Sequence, residues 1–397
     1  MREAYIVASV RTPGGRAKRG GLKDTRADVL ARTAVKGVLA QVPQLELNTI
    51  DDLVFGCSFP EAEQGLNLGR VIAKHSGLPD EVPGFVVNRF CSSGLQAIAL
   101  AAQNIICGWN DIVLAGGVEA MSRVPMGGFI NRPDPEWTDE YPDIYISMGS
   151  TAENVAKRYG ISRQQQDEMG VESNKRAYEA QQNGWFKAEI VPVTEAVKYV
   201  IKDGKRIKTH YTFDADDGVR WPTTLEGLAK LRPAFWKNGT VTAGNASQTT
   251  DGAAASLLMS KEKCDQLGIK PLAKFVNFQV AGCRSDEMGV GPRYAIPRVL
   301  KKAGLELKDI DYFEINEAFA SQAIYSCREL GILERYWKGE INCCGGAIAL
   351  GHPLGCTGAK LTATVIHQLR RRGGKRGIVS MCIGGGMGAA GIIELVD

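Results

Sequence analysis

The sequence predicts a layered α/β fold built from two similar halves, with a segment of different character inserted between them. Three observations support this prediction. Strand-like apolar runs alternate with helix-length amphipathic runs in both halves. Residues 45–55 resemble residues 305–314, at an offset of 260 residues. The stretch 120–245 differs from both, because it carries proline-rich and acidic loops and a polar, aromatic segment.

The alternation of strands and helices is clearest between residues 85 and 106. A strand-like run at 85–87 is followed by a bend, and small residues occupy 92–94. Apolar residues then recur at helical spacing, with no charged residue among them. The pattern predicts a helix after residue 91 that is buried on most sides.

The repeat predicts the domain organisation. A second pair of matching segments, 113–117 and 379–385, each reads as a strand followed by a glycine turn. Repeats of this size indicate a duplicated domain of roughly 120 residues rather than a solenoid. We therefore expect a first half at 1–119, to which 246–268 returns, an inserted loop domain at 120–245, and a second half at 269–397. A helix is expected over 151–183.

Composition excludes several classes of protein. The 397 residues carry a net charge of only +4, which is too balanced to suggest a nucleic-acid binder. The long uncharged stretches are interrupted by glycine or proline, so no membrane span is expected. The ten cysteines show no zinc-type spacing, and the N-terminus lacks the apolar region of a signal peptide. These features favour a cytoplasmic protein with free thiols and no metal.

Cys91 and His352 are the first candidates for chemistry. Cys91 lies at the predicted start of a helix, where unpaired N–H groups and the helix dipole favour a thiolate. A buried, inert cysteine is the alternative for that position. A nucleophilic cysteine needs a base, and His352 is the histidine that glycines frame on both sides. From the residues alone, His352 is either that base or a structural histidine in a turn.

Cys382 and Asn316 complete the candidate set. Cys382 ends a strand beside a glycine turn at 384–388, whose exposed N–H groups suit an oxyanion. Asn316 follows the strand-like run 312–315 and either orients a water or a histidine, or caps a helix. Two cysteines, a histidine and an asparagine at strand ends suit acyl transfer through a thioester.

The sequence resembles the thiolase family over essentially its whole length. The resemblance is carried by five strings in family order: NRFCSSG at 88–94, GGVEAMS at 116–122, NEAF at 316–319, GHPLG at 351–355 and CIGGGMG at 382–388. It implies a thiolase-like αβαβα core, formed by two five-stranded α/β halves, with a loop domain over the site.

The resemblance implies a role for each catalytic candidate. Cys91 is the acylated nucleophile, and His352 accepts its proton and helps to bind the thioester oxygen. Cys382 moves the proton on and off the leaving acetyl-CoA carbanion. Asn316 holds a water in one oxyanion hole, and the N–H groups of Cys91 and Gly384 form the other. The implied reaction is CoA-dependent cleavage of a 3-ketoacyl-CoA, which reverses as a Claisen condensation.

The resemblance also implies that the insertion binds CoA, which is a substrate and not a cofactor. The positions that match the family's CoA-binding residues are Met148, Arg220, Ala243 and Ser247, and Phe319 is expected beside them. An arginine offers a charged fork to a nucleotide, whereas small residues let the pantetheine arm pass. From the residues alone, Arg220 is either a nucleotide-binding arginine or a surface cation. The expected partners are 3-ketoacyl-CoA, acetyl-CoA and CoA, and a homodimer or homotetramer is expected.

Two departures bear on the substrate range. Thiolases specific for acetoacetyl-CoA typically have a histidine where this chain has Ser147, and the string at 245–252 resembles the degradative branch. We therefore expect a broad-range acetyl-CoA C-acyltransferase, with an acetoacetyl-CoA-specific acetyltransferase as the alternative. A fatty-acid-type condensing enzyme would need a second histidine or an asparagine where Cys382 stands. A non-catalytic acyl-CoA carrier would not need these reactive residues.

Overall fold

The fold is organised around one mixed β-sheet with strands from both halves of the chain, in a computed structural model that describes residues 2–396. The strands are β1 (Ala4–Arg11), β2 (Gly15–Arg16), β3 (Asp52–Gly56), β4 (Phe85–Val87), β5 (Ile112–Ala120), β6 (Val193–Lys202), β7 (Lys205–Phe213), β8 (Thr250–Ser260), β9 (Ala273–Gly282), β10 (Tyr312–Ile315), β11 (Arg376–Ile383) and β12 (Met387–Leu395). The helices are α1 (Ala27–Leu39), α2 (Leu68–His75), α3 (Ser93–Ile106), α4 (Pro135–Glu140), α5 (Met148–Arg158), α6 (Arg163–Gln182), α7 (Leu225–Ala229), α8 (Lys261–Gln266), α9 (Gly291–Ala303), α10 (Ala320–Glu329), α11 (Leu333–Trp337), α12 (Ala347–Leu350) and α13 (Thr357–Arg372).

The two halves of the sheet repeat one pairing pattern. In the first half, β1 pairs with β8 and β8 with β5 in antiparallel fashion, and β3 and β4 follow in parallel. In the second half, β9, β12, β11 and β10 repeat the same order of directions. An antiparallel contact between β1 and β9 joins the halves. The prediction of a duplicated α/β fold is confirmed.

The second half departs from the predicted five strands at its outer edge. Within residues 2–396, the position that β4 occupies in the first half is reduced to Ile341, which forms an isolated parallel bridge with Phe313. The neighbouring Asn342 explains why the strand stops. Its side chain accepts from the N–H of Ile315 at 2.9 Å and donates to the Ile315 carbonyl at 2.8 Å, so it satisfies groups that a continuing strand would bind.

The helices form three layers, and each half of the sheet lies between the central layer and one outer layer. α1 and α2 cover the outer face of the first half, α9 and α10 cover the outer face of the second half, and α3 and α13 lie in the centre. Side chains alternate accordingly along β5, where Val113 faces the centre and Leu114 faces α1. The central helices approach closely at Gly94. A Cβ at this position would lie 2.7 Å from the Ala359 nitrogen, so a side chain there would keep the helices apart.

The insertion packs against both halves. Its α5 contacts α10 and the 3₁₀ segment Ser285–Val290, and its α6 contacts α10 and α12. Its β6–β7 hairpin forms a separate sheet, and Val193 and Ala196 of β6 are buried in one apolar cluster with α1 of the first half. The single helix expected over 151–183 is divided, because Gly160 is left-handed at φ 64° and Ser162 begins α6 with a capping box to Gln165. Among residues 2–396, no helix is long and apolar enough to span a membrane.

Candidate active site

Cys91 lies at a sharp bend between β4 and α3. Phe90 has a φ of 41°, an uncommon value for a residue with a side chain, and the 3₁₀ turn Phe90–Ser92 leads into the helix. The bend is held by Asn88, which accepts from the Phe90 N–H at 2.8 Å and donates to the Ser58 carbonyl at 2.9 Å. The sequence-predicted strand, bend and helix start are therefore present at Cys91.

The environment of the Cys91 sulfur is apolar but contains two backbone donors. Burial raises the pKa of Cys91 to about 12, and the N–H groups of Gly384 and of Cys91 itself oppose that rise. The backbone donors favour the thiolate, as expected, but burial outweighs them and the thiol is not acidic. The thiol needs a base to become a nucleophile.

His352 presents one ring nitrogen, Nε2, that can accept a proton. Its backbone N–H donates to the Gln248 carbonyl at 2.9 Å, and its Nδ1 lies 2.6 Å from the Thr357 Oγ1. The Thr357 hydroxyl donates its single proton to the Pro353 carbonyl at 3.0 Å. The Asn316 Nδ2, a donor, lies 3.3 Å from Nε2, so Nε2 carries the lone pair and Nδ1 donates to the Thr357 Oγ1.

Two features keep the His352 ring neutral. Burial, together with the charge of Lys360, lowers the pKa of His352 to about 3. Lys360 is itself buried and donates to the carbonyls of Leu350 and Gly351, at 3.0 and 3.1 Å, just before the histidine. The same lysine thus fixes the loop and disfavours the imidazolium, so the ring is neutral and its Nε2 is unprotonated at neutral pH.

Asn316 is next to His352 and is not a helix cap. α10 begins three residues beyond Glu317, at Ala320, so the helix-cap interpretation of Asn316 is wrong. Its Nδ2 lies 3.3 Å from the His352 Nε2, and its buried Oδ1 has no hydrogen-bond partner in the described protein. The Asn316 N–H donates to the Ser380 carbonyl at 2.9 Å, which places it beside β11.

Cys382 lies near the end of β11, and Gly384 is the first residue after the strand. The Cys382 thiol is fully buried, and burial together with Cys91 raises its pKa well above the usual range. The hairpin that follows needs glycine at two positions, since Gly385 and Gly386 have φ values of 80° and 87°. This turn aims the Gly384 N–H at Cys91, so both thiols and the donor pair meet at one point.

The predicted CoA-binding residues range from exposed Arg220 and Ala243 to Met148 and Phe319, which lie beside Cys382. Arg220 donates to the Ala243 carbonyl at 3.4 Å, and Ser247 donates its N–H to the Ala318 carbonyl at 2.9 Å. Phe319 and Met148 pack in one apolar cluster with Cys382. A Cβ on Gly384 would lie 3.2 Å from the Met148 Cε. These contacts run from exposed residues toward the thiols, and a path for CoA along the five residues stays a prediction.

Several residues of this site were missed from the sequence. Thr357 and Lys360 follow His352 by five and eight residues, and their helical spacing in α13 was the available signal. Arg16 and Arg19 lie near Arg220, and burial with their charges lowers the pKa of Arg220. Nothing in the residues near 16 points to the insertion, because the contact depends on the fold. Three guanidinium groups at the outer end of the path suit a phosphate-bearing ligand.

The arrangement supports acyl transfer at a thiol. A neutral imidazole with an unprotonated Nε2 accepts a proton, and paired backbone N–H groups stabilise an oxyanion. A second buried thiol beside the first offers a separate acid and base. Among residues 2–396, no group of three or more His, Cys, Asp or Glu side chains is arranged to hold a metal ion.

Comparisons with known proteins agree with the motifs. The family model of the thiolase N-terminal domain matches residues 4–262, and that of the thiolase C-terminal domain matches residues 269–395. The 3-ketoacyl-CoA thiolase of Bacillus subtilis (strain 168) is 54% identical over 395 residues, which cover 100% of both chains. The peroxisomal 3-ketoacyl-CoA thiolase A of Mus musculus is 48% identical, covering 99% of this chain and 91% of that protein.

Solved structures of thiolases are similar to this chain over its whole length. The structure of human mitochondrial 3-ketoacyl-CoA thiolase in complex with CoA has a TM-score of 0.87 at 38% identity, covering 100% of this chain and 98% of that one. The Bacillus anthracis acetyl-CoA acetyltransferase has the same TM-score and identity, with 100% and 99% covered.

Proposed function

The chain belongs to the thiolase family, and from this premise we propose that its acyltransferase reaction runs through an acyl group on Cys91. The reaction is that of an acetyl-CoA C-acyltransferase: a 3-ketoacyl-CoA and CoA give acetyl-CoA and a shortened acyl-CoA. One observation carries the proposal. The Gly384 N–H faces the Cys91 sulfur, on the same turn that holds Cys382 and beside the Asn316–His352 pair.

Acylation begins with the transfer of the Cys91 thiol proton to the Nε2 of His352. The Cys91 sulfur then forms a bond to the 3-keto carbon, and the bond between C2 and C3 of the substrate breaks. The electron pair of that bond goes to C2, and the Cys382 thiol supplies the proton that completes acetyl-CoA. Cys91 is left as a thioester and Cys382 as a thiolate.

Transfer to CoA restores both thiols. The Cys382 thiolate takes the proton of the incoming CoA thiol, and the CoA sulfur attacks the acyl carbon on Cys91. The Cys91–acyl bond breaks, and the Cys91 sulfur regains its proton from the imidazolium of His352. Every proton and electron pair is returned, so the cycle needs no external oxidant or cofactor.

The two sets of donors fit the charges that develop in this cycle. The N–H groups of Cys91 and Gly384 point toward the Cys91 sulfur. The negatively charged oxygen of the tetrahedral adduct is on the carbon bonded to that sulfur, so these donors suit that oxygen. His352 and Asn316 sit together opposite them and suit the oxygen of the acetyl-CoA enolate, with the unpartnered Asn316 Oδ1 suited to a bridging water. Each hole stabilises a different intermediate.

The CoA arm is proposed to follow the path across the insertion. Arg220 holds the nucleotide end, the small Ala243 and Ser247 border the pantetheine, and Met148 and Phe319 contact the acyl end. The division into a first half at 1–119 with 246–268, a loop domain at 120–245 and a second half at 269–397 is part of this proposal. The pairing of β8 with β1 and β5 supports it.

Cleavage of 3-ketoacyl-CoA substrates of increasing chain length tests the function. We expect CoA-dependent loss of the 3-keto chromophore across short, medium and long chains. Cleavage of acetoacetyl-CoA alone would favour the acetoacetyl-CoA-specific alternative, and Ser147 would then need another explanation. Loss of all activity in Cys91→Ala, with the fold retained, separates either enzyme from a carrier.

The protein is further proposed to work as a cytoplasmic homo-oligomer. All ten cysteines are free thiols, as expected in a reducing compartment. Apolar side chains are exposed in the insertion, among them Phe129, Ile130 and Trp137, and a partner subunit would cover them. Light scattering coupled to gel filtration distinguishes a dimer or tetramer from a monomer, and a monomeric mass would refute this part.

A further inference from the structure

The buried Cys382 thiol contacts the polar side chain of Gln322 on α10. Gln322 is fully buried, and an atom of its amide lies 3.1 Å from the Cys382 Sγ. The direction of this contact depends on which amide atom faces the sulfur, because the oxygen only accepts hydrogen bonds whereas the nitrogen only donates them.

The neighbours of Gln322 settle that direction. The amide end near Cys382 also lies 3.1 Å from the Asn316 carbonyl oxygen, which is an acceptor. The other end lies 2.6 Å from the Ala323 N–H, which is a donor. Only one orientation satisfies both contacts: the NH₂ group faces Asn316 and Cys382, and the oxygen faces Ala323. One amide proton binds the Asn316 carbonyl, and the second is directed at the sulfur.

We propose that Gln322 is a positioning residue whose amide N–H donates to the Cys382 sulfur and stabilises its thiolate form. The inference rests on the proposed function, in which Cys382 alternates between thiol and thiolate. The thiolate forms in a site without water contact, beside a second thiol, so an uncompensated charge there is costly. The hydrogen bond to Asn316 fixes the amide, so the donor is already oriented when the charge appears.

The donor has a second consequence for the geometry of the site. Gln322 binds the backbone of Asn316, whose side chain contacts His352. The amide therefore holds the second thiol and the oxyanion-binding pair at a fixed separation. Its loss is expected to act on the step that protonates the substrate carbanion and to leave CoA affinity unchanged.

Two variants of nearly unchanged shape test the proposal. Gln322→Met keeps the side-chain length without a donor, and Gln322→Glu replaces the donor with an acceptor that repels a thiolate. Ser321→Ala is the matched control, since Ser321 is the neighbouring buried residue of α10 and bonds Ala152 instead. The readouts are kcat and KM across pH, and the rate at which iodoacetamide labels Cys382 and Cys91, resolved by peptide mass spectrometry.

A hydrogen bond to a charged group predicts a loss of about 10- to 100-fold in the labelling rate of Cys382 at fixed pH. Labelling of Cys91 and the KM for CoA should stay within about twofold, kcat should fall, and its alkaline limb should move to higher pH. Equal loss of labelling at both thiols would mark a structural role and overturn the proposal, as would unchanged labelling of Cys382. If the wild-type protein cleaves no 3-ketoacyl-CoA but the variants still alter Cys382 labelling, the proposed function fails and the Gln322 contact stands.

Discussion

The neutral, buried state of His352 makes a quantitative prediction about stability and pH. His352 is 4% exposed, and its pKa of about 3 lies below the ordinary value of 6.5 that it regains on unfolding. The unfolded chain therefore binds a proton at a pH where the folded chain does not. The stability that this histidine contributes is fully present above pH 6.5 and is lost as the pH falls from 6.5 toward 3.

The size of the effect follows from the two pKa values. At pH 5 the unfolded histidine is largely protonated and the folded one is not, which costs about 2 kcal/mol of folding free energy. At pH 3 the loss is about 4 kcal/mol, and it levels off at about 5 kcal/mol at lower pH. His352→Gln removes this proton uptake while it keeps a neutral polar group of similar size.

Urea unfolding at about pH 7.5 and pH 5 measures the difference. The protein concentration is held fixed, because self-association would add to the apparent stability. Wild type should lose about 2 kcal/mol more than His352→Gln over this interval. The exposed-site control, His210→Gln, should retain the full wild-type loss. Equal pH dependence in wild type and His352→Gln would refute the argument that His352 is held neutral by burial.

Three further predictions concern the surroundings of the site. Thr357→Val removes the acceptor of the His352 Nδ1–H, so kcat should fall about 10- to 100-fold. Thr357→Ser keeps the hydroxyl, so its kcat should stay near wild type. Equal kcat values of the two variants would contradict the assigned tautomer. Gly358→Ala places a Cβ against the Leu95 backbone between the central helices, so it should lower the free energy of unfolding by about 1–3 kcal/mol. Gly282→Ala, which meets open space, is its control, and equal stability of the two variants would refute the close approach. Arg220→Ala should raise the KM for CoA about tenfold without changing kcat, and an unchanged KM would exclude Arg220 from the CoA path.

Much of the fold was readable because the signals are local. The strand, bend and uncharged helix around Cys91 follow from residue spacing alone, and the repeat at an offset of 260 residues matches the repeated strand pairing. The divided helix of the insertion was also marked in the sequence. Gly160 and the pair Ser162 and Gln165 are ordinary stop and start signals, which outweigh the helical periodicity around them.

Other features depend on contacts between distant residues. The edge of the second half ends early because the Asn342 side chain replaces a strand, which no periodicity reveals. The state of His352 depends on Thr357 and Lys360, whose hydrogen bonds appear only once α13 is placed. The start of α3 was expected to supply donors that favour a Cys91 thiolate, and the backbone N–H groups do act in that direction. Burial of the thiol outweighs them, and burial is a property of the whole fold.

Trapping the acyl-enzyme intermediate identifies the acylated residue. The protein would be mixed with a 3-ketoacyl-CoA in the absence of free CoA, quenched with acid, and measured by intact and peptide mass spectrometry. If Cys91 is the nucleophile, one acyl group is found on the peptide that contains Cys91, CoA removes it, and Cys91→Ala forms no adduct. An acyl group on Cys382 or another residue, or an adduct that persists in Cys91→Ala, would contradict this role of Cys91.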